Sequence, residues 1–171
     1  MPSPVGHAIG GLVAGWGAAG HAPYPAWIRQ ALVLVVVGML PDIDLLFGWH
    51  SGPTHSVGAA LLAGAIAWGA RRAAPRSAYA VTPLAVTCAY ASHILLDWLG
   101  ADTSAPFGVM ALWPLTDGYF MSPIAVMPSI TRRYWLTGFW EHNLRALMFE
   151  LVLLVPLLLI VWWTRAVRSA R

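Results

Sequence analysis

The chain has 171 residues, a length that predicts one domain over residues 1–171. Hydrophobic residues make up 58% of it and charged residues only 10%, whereas a soluble domain carries about 25% charged residues, so the composition excludes an ordinary soluble protein. The net charge of +3 comes from Arg residues that mostly flank apolar runs, and without a basic stripe of interleaved aromatic residues no nucleic-acid partner is expected.

Five apolar segments follow one another along the chain, and each approaches the roughly 20 residues that a helix needs to cross the hydrocarbon core. Ten Trp residues favour the same setting, because Trp prefers the headgroup boundary. The pattern predicts an all-α fold, a multi-span transmembrane helical bundle of about four to five spans. In chain order the segments are Val5–Gly20, Ile28–Phe47, His55–Ala70, Tyr79–Leu99 and Leu147–Trp163.

The segment Gly100–Arg145 is too rich in Pro and aromatic residues for a span, so we predict a long loop at the membrane interface. The Arg residues predict the orientation, because cytoplasmic loops carry an excess of Lys and Arg. Most of them fall on one side of the predicted spans, which predicts a multi-pass protein of the cell (plasma) membrane with its N-terminus outside. This group comprises Arg29, Arg71, Arg72, Arg76, Arg165, Arg168 and Arg171.

Side chains able to bind a metal collect at the outer ends of these predicted spans. They are His7 in the first span, Asp42 and Asp44 in the second, His50 and His55 after it, and His93 and Asp97 in the fourth. Among the six His residues, only His21 falls on the cytoplasmic side. A random scatter of polar residues would not sort in this way, so we expect one site at the outer membrane face.

Asp42 and Asp44 lie in an apolar run, where a carboxylate costs roughly 2.5–3.5 kcal/mol on insertion scales. Pro41 perturbs the helix there, so both carboxylates can point at one ion; the alternative is a polar cap where the helix meets water. His93 and Asp97 are four residues apart and share a helix face. That spacing suits two ligands, or a ligand with its orienting carboxylate, or a simple hydrogen bond within the bundle.

The segment His50-Ser-Gly-Pro-Thr-His55 contains a tight turn that can bring two imidazoles to one centre, although an ordinary interfacial loop explains it equally well. The candidate ligands include no thiolate, which favours zinc as the divalent metal, with manganese or iron as alternatives. So many ligands suit a centre of two or three metals that activates water for displacement at phosphorus. The roles of four other residues stay open, namely Asp117, Glu141, His142 and Glu150.

Four motifs, taken in order, resemble those of the YdjM-type inner-membrane metal-dependent hydrolases: His7, Pro41-Asp-Ile-Asp44, His50-x-Gly-Pro-Thr-His55-Ser and Ser92-His93-x-x-x-Asp97. Trp113-Pro-Leu followed by Tyr119-Phe120 also resembles the segment after the last motif, so the likeness covers nearly the whole chain. It implies a multi-span helical protein with a metal-hydrolase site formed by the seven residues named above. It also implies a distant relation to the zinc-dependent phospholipase C and single-strand nuclease enzymes. Ser51 stands where the family often has Arg, which implies altered specificity if that Arg binds an anionic substrate.

We therefore predict a membrane-bound, metal-dependent hydrolase that acts on a phosphoester, with a phospholipid in the bilayer as one candidate substrate. In this hypothesis five residues hold metal (His7, His50, His55, His93 and Asp97), while Asp42 and Asp44 bridge metals or one of them accepts a proton from the attacking water. Two alternatives are a divalent-metal transporter or sensor and a structural membrane protein. A transporter would favour ligands at mid-membrane and internal repeats, and the oligomeric state is unknown.

Overall fold

A computed structural model describes residues 1–19, 22, 26–73 and 81–169, with side chains up to Thr164 in the last helix. Within these ranges the chain forms five α-helices and two 3-10 helices and no β-strand, which confirms the all-α prediction. The α-helices are α1 (Pro4–Ala19), α2 (Ala26–Met39), α3 (Val57–Ala73), α4 (Pro83–Trp98) and α5 (Phe139–Ser169), and the 3-10 helices are Leu40–Phe47 and Pro53–His55. His21, Arg76 and the predicted span ends at Gly20 and Tyr79 lie outside the described residues.

Two of the five predicted spans coincide, among the described residues, with helices that are long and apolar enough to cross a membrane. One is Ala26–Phe47, which joins α2 to the 3-10 helix that follows it, and the other is Phe139–Thr164 within α5. The helices α1, α3 and α4 have 16, 17 and 16 residues, so they are only about 24–26 Å long, against a hydrocarbon core of about 30 Å. The count of four to five spans therefore stays a prediction.

The centre of the bundle is formed by α1 and α4, since α1 contacts α2, α4 and α5, and α4 contacts α1, α2 and α3. Small residues allow these helices to approach one another closely. The crossing of α1 and α2 lies at Gly11 and Gly38, where a Cβ on Gly38 would be 2.7 Å from the carbonyl oxygen of His7 and 3.0 Å from the Cα of Gly11. This contact of one main chain with another brings His7 beside the end of α2.

Replacing Gly38 by Ala is expected to lower the free energy of unfolding by about 1–3 kcal/mol, the usual range for overpacking. The new methyl group would meet main-chain atoms of α1, which cannot rotate away, so the two helices would have to separate. Gly69→Ala is the matched control, because a Cβ at Gly69 meets nothing within 4 Å. Thermal unfolding in one detergent measures both variants, and a Gly38→Ala protein as stable as the wild type would contradict this close crossing.

The predicted loop Gly100–Arg145 is shorter in the structure, because α5 already begins at Phe139. The loop prediction was therefore wrong for residues 139–145, which form the first turns of that helix. Residues 139–145 include several polar side chains, so a search for apolar runs did not identify them as the start of α5. Glu141 and Arg145 form an exposed pair with 2.6 Å between Oε1 and a guanidinium nitrogen, and such a pair four residues apart stabilises a helix without adding apolar length.

Candidate metal centre

His93 and Asp97 are both buried and project from one face of α4. The Nδ1 atom of His93 lies 2.8 Å from the carbonyl oxygen of Gly38, and since a carbonyl only accepts, Nδ1 carries a proton and donates it there. Nε2 of His93 lies 3.1 Å from Oδ2 of Asp97. In a neutral ring this nitrogen is also an acceptor, so a cation or a second proton is needed between it and the carboxylate.

His7 brings a second imidazole to the same carboxylate from α1. Its ring stacks on that of His93, with 3.6 Å between the centroids and 16° between the planes. Nε2 of His7 lies 3.3 Å from Oδ1 of Asp97, and the residue is only 1% exposed. Asp97 therefore has an imidazole nitrogen beside each of its two oxygens.

His55 ends the short 3-10 helix Pro53–His55 and is fully buried. Its Nε2 atom lies 3.4 Å from Oδ2 of Asp97 and 3.2 Å from Nε2 of His93. Asp42 completes the group from the other 3-10 helix, and its Oδ1 atom is 3.7 Å from Nε2 of both His55 and His93. We call His7, Asp42, His55, His93 and Asp97 the His/Asp cluster.

Asp44 lies on the opposite edge of the His55 ring from the rest of this cluster. Its Oδ2 atom is 3.1 Å from Nδ1 of His55, and it also accepts hydrogen bonds from the Gly52 backbone N–H at 3.2 Å and the Thr54 hydroxyl at 3.1 Å. A carboxylate that accepts a hydrogen bond from Nδ1 fixes the tautomer and leaves Nε2 free to bind a metal. Asp44 is therefore placed to orient His55, and Gly38 orients His93 in the same manner.

The chemistry of the cluster fits a divalent ion. Both oxygens of Asp97 are buried and accept no hydrogen bond, although each lies near an imidazole nitrogen. Two groups have donor atoms within 4.8 Å of one another: His7, His93 and Asp97 form one, and Asp42, His55 and His93 form the other. His93 belongs to both groups and has only Nε2 available, so the five residues form one compact set of donors that would hold one ion or two neighbouring ions. Imidazole and carboxylate donors without thiolate are those of zinc, manganese and iron sites.

His50 lies outside both groups, at the wall of a neighbouring cavity. Its Nε2 atom is 3.8 Å from Oδ1 of Asp102, and Nδ1 is 3.4 Å from a guanidinium nitrogen of Arg132. The structure therefore brings five of the seven predicted ligands together, with Asp44 behind His55 and His50 beside the cavity.

The four residues whose roles were left open lie in four different environments. Asp117 is exposed in the long loop, and Glu141 pairs with Arg145. The ring of His142 lies 2.8 Å from the carbonyl oxygen of Ser129. Glu150 is fully buried and accepts hydrogen bonds from the backbone N–H of Ser3, at 2.7 Å, and from the Ser3 hydroxyl. Glu150 thus ties α5 to the start of α1.

A cavity of about 340 Å³ adjoins the cluster, and Asp42 is the cluster residue that lines it. Met1 lies in the wall of this cavity, and burial lowers the pKa of its ammonium although the nearby charges of Asp97 and Asp102 act to raise it. The wall is formed by Met1, Pro2, Pro4, Asp42, Leu45, His50, Asp102, Thr103, Ser104, Ile130, Thr131, Arg132, Arg133 and Leu136.

Sequence reasoning missed two features of this site. The first is the anchoring of Asp44 by Gly52 and Thr54, for which the turn sequence Ser-Gly-Pro-Thr before His55 is the available signal. The second is the cavity wall that includes Asp102, Arg132 and Arg133. Adjacent Arg residues in an otherwise apolar loop were a visible signal, but only the fold shows that the loop returns to the cluster.

Comparison with known families matches residues 1–168 to the model described as YdjM inner membrane protein. Comparisons with curated proteins and with solved structures find no match.

Proposed function

The chain belongs to the YdjM inner membrane protein family, and from its His/Asp cluster we propose that it is a membrane-embedded, metal-dependent hydrolase of phosphoesters. The observation that carries the proposal is the carboxylate of Asp97, which is buried, accepts no hydrogen bond and has imidazole nitrogens 3.1–3.4 Å from its oxygens. Burying a charge is costly unless it is paired or bound to a metal. A divalent ion would pair that charge and satisfy the three imidazoles together.

The metal would be held by His7, His55, His93 and Asp97, with Asp42 as a further ligand or as a proton acceptor. Zinc is the first choice for these donors, with manganese or iron as alternatives. A bound divalent ion supplies Lewis-acid activation of water and of a phosphoryl group. Asp44 and the Gly38 carbonyl hold the rings of His55 and His93 in the tautomers that expose Nε2.

Asp42 is the residue best placed to accept a proton from the attacking water. It alone among the cluster residues lines the cavity, and its side chain keeps 26% of its exposure while that of Asp97 is buried. A general base has to reach the reacting water, which the buried Asp44 does not. We assign the proton-accepting role to Asp42 and the orienting role to Asp44.

The site lies where the candidate span Ala26–Phe47 ends, since Asp42 and Asp44 are in its last turns. We propose that α1, α3 and α4 also enter the membrane, packed against the two longer helices, and that the site opens at the outer face. This orientation rests on the distribution of Arg residues along the chain. Cysteine labelling from outside tests it, because Ser104→Cys, which is exposed in the loop after α4, should react whereas the equally exposed Ala73→Cys should not.

Hydrolysis tests the proposed activity directly. Protein purified in detergent should cleave bis(p-nitrophenyl) phosphate or p-nitrophenyl phosphate after loading with zinc or manganese, and should lose that activity when a chelator removes the metal. Readdition of the metal should restore it. Asp42→Asn should keep the fold and lower kcat by about 100-fold or more, the usual contribution of a general base. Metal-loaded protein with no activity on phosphomonoesters, phosphodiesters or phospholipids would contradict the proposal.

A further inference from the structure

The cavity beside the His/Asp cluster is lined by two arginine residues that lack a carboxylate partner among the described residues. Arg132 and Arg133 both line it, and among the described residues neither forms an ion pair. The two carboxylates of the wall, Asp42 and Asp102, both have other partners, and Asp102 also lies 3.8 Å from Nε2 of His50 on the same wall. Oδ1 of Asp42 faces His55 and His93, while Asp102 accepts hydrogen bonds from the backbone N–H groups of Ser104, at 3.0 Å, and Gly108, at 2.9 Å.

The remaining donors of this cavity suit an anion. The guanidinium of Arg132 lies 3.4 Å from Nδ1 of His50, which accepts from it, so the guanidinium is held at this side of the cavity and its other N–H groups remain for an anion. A guanidinium matches the oxygens of a phosphate in a two-pronged geometry and remains charged at all physiological pH values. Asp42 lines the same cavity and belongs to the His/Asp cluster, so it connects the surroundings of Arg132 to that cluster.

The same cavity has an apolar side and an aromatic border. Leu45, Ile130 and Leu136 line it, and Tyr134 and Trp135, which follow Arg133 directly, are 75% and 68% exposed. Exposed Trp and Tyr side chains are typical of the headgroup level of a membrane. A molecule with a phosphate and an acyl chain matches this combination of charge and apolar surface better than a fully polar phosphoester does.

We propose that Arg132 and Arg133 bind the phosphate of a phospholipid-type substrate in this cavity, with its apolar part over Leu45 and Leu136 and its ester bond towards Asp42. The proposal names the substrate class of the site and rests on the hydrolase function proposed above.

Binding measurements on detergent-solubilised protein test this substrate class. The probes are inorganic phosphate and dihexanoyl phosphatidic acid, with dihexanoylglycerol as the uncharged comparison. Arg132→Gln and Arg133→Gln should each weaken binding of both anions by about tenfold or more, the strength of a charge-assisted hydrogen bond, while metal content stays that of the wild type. Arg145→Gln is the matched control, because its guanidinium pairs with Glu141 outside the cavity, and it should leave binding unchanged.

The outcomes separate this proposal from the proposed hydrolase. If the wild type binds metal but neither anion, or if both Arg variants bind as well as Arg145→Gln, the anion site is refuted and the metal site stands. If the protein binds no metal, the hydrolase proposal fails, and binding of the anions that still depends on Arg132 supports the cavity alone. Phosphatidic acid bound more tightly than inorganic phosphate supports a lipid substrate, whereas equal affinities overturn that part and indicate a water-soluble phosphoester.

Discussion

Asp97→Asn is expected to abolish metal-dependent hydrolysis and to lower zinc affinity by more than about 100-fold, since removing only an outer partner of a ligand already costs 10–100-fold. The change keeps the shape of the side chain but removes the charge that three imidazoles face at 3.1–3.4 Å. Competition with a chromophoric chelator measures the affinity, and p-nitrophenyl phosphate hydrolysis measures the rate.

Asp117→Asn is the matched control for this experiment, because the same chemical change is made on an exposed loop residue. It should bind zinc as the wild type does. Circular dichroism and thermal unfolding of the metal-free proteins check that Asp97→Asn keeps its fold. A folded Asp97→Asn protein with unchanged zinc affinity would show that the buried carboxylate is a structural partner of the helices and would remove the metal centre.

The second large effect is expected at Asp44, which does not face the centre of the cluster. Asp44→Asn should weaken zinc binding by about 10–100-fold without eliminating it. The neutral amide can still accept from Gly52 and Thr54, but it no longer supports the Nδ1 proton of His55 with a negative charge. The imidazole then becomes a weaker and less firmly oriented ligand.

The size of the Asp44 effect separates two roles for this residue. An affinity loss as large as that of Asp97→Asn would indicate that Asp44 binds the metal directly, as the sequence hypothesis allowed. An unchanged affinity would indicate that its contacts serve only the turn before α3. The same chelator competition measures the zinc affinity of both variants, so it distinguishes a large loss, a moderate loss and no loss.

The sequence was enough to predict that most of the candidate ligands come together at this site, because their grouping follows from helix periodicity and from the order of the apolar segments. The spacing of four residues puts His93 and Asp97 on one face of any α-helix, and the alternation of apolar segments brings His7 to the same end of the bundle. The YdjM family membership that the motifs indicated is confirmed. The assignment of these residues as ligands stays a prediction.

Which of Asp42 and Asp44 faces the cluster was harder to predict, because it depends on how the chain continues beyond Met39. The chain winds there as a 3-10 helix, in which residues two apart project about 120° apart, against about 160° in an α-helix. Either geometry points the two side chains in different directions, and here Asp42 faces the cluster while Asp44 reaches behind His55. The composition around Pro41 indicates a perturbed helix but does not specify how the perturbation is resolved.

The cavity could not be predicted because it depends on contacts that are distant in the chain. Arg132 reaches His50 across 82 positions, and the loop between α4 and α5 has no periodic pattern from which such a contact follows.

The number of membrane spans could not be predicted for a different reason. Helices of 16 or 17 residues can be buried among longer ones or can cross a thinned bilayer, and hydropathy alone does not separate these cases.

The most direct test of the central claim is an anomalous difference map at the zinc absorption edge from crystals of the zinc-loaded protein. We expect a peak, or two neighbouring peaks, about 2.0–2.2 Å from Nε2 of His55 and His93 and from an oxygen of Asp97, the usual lengths of such bonds. An intact cluster with no peak, or a peak only at His50 or another surface imidazole, would contradict it.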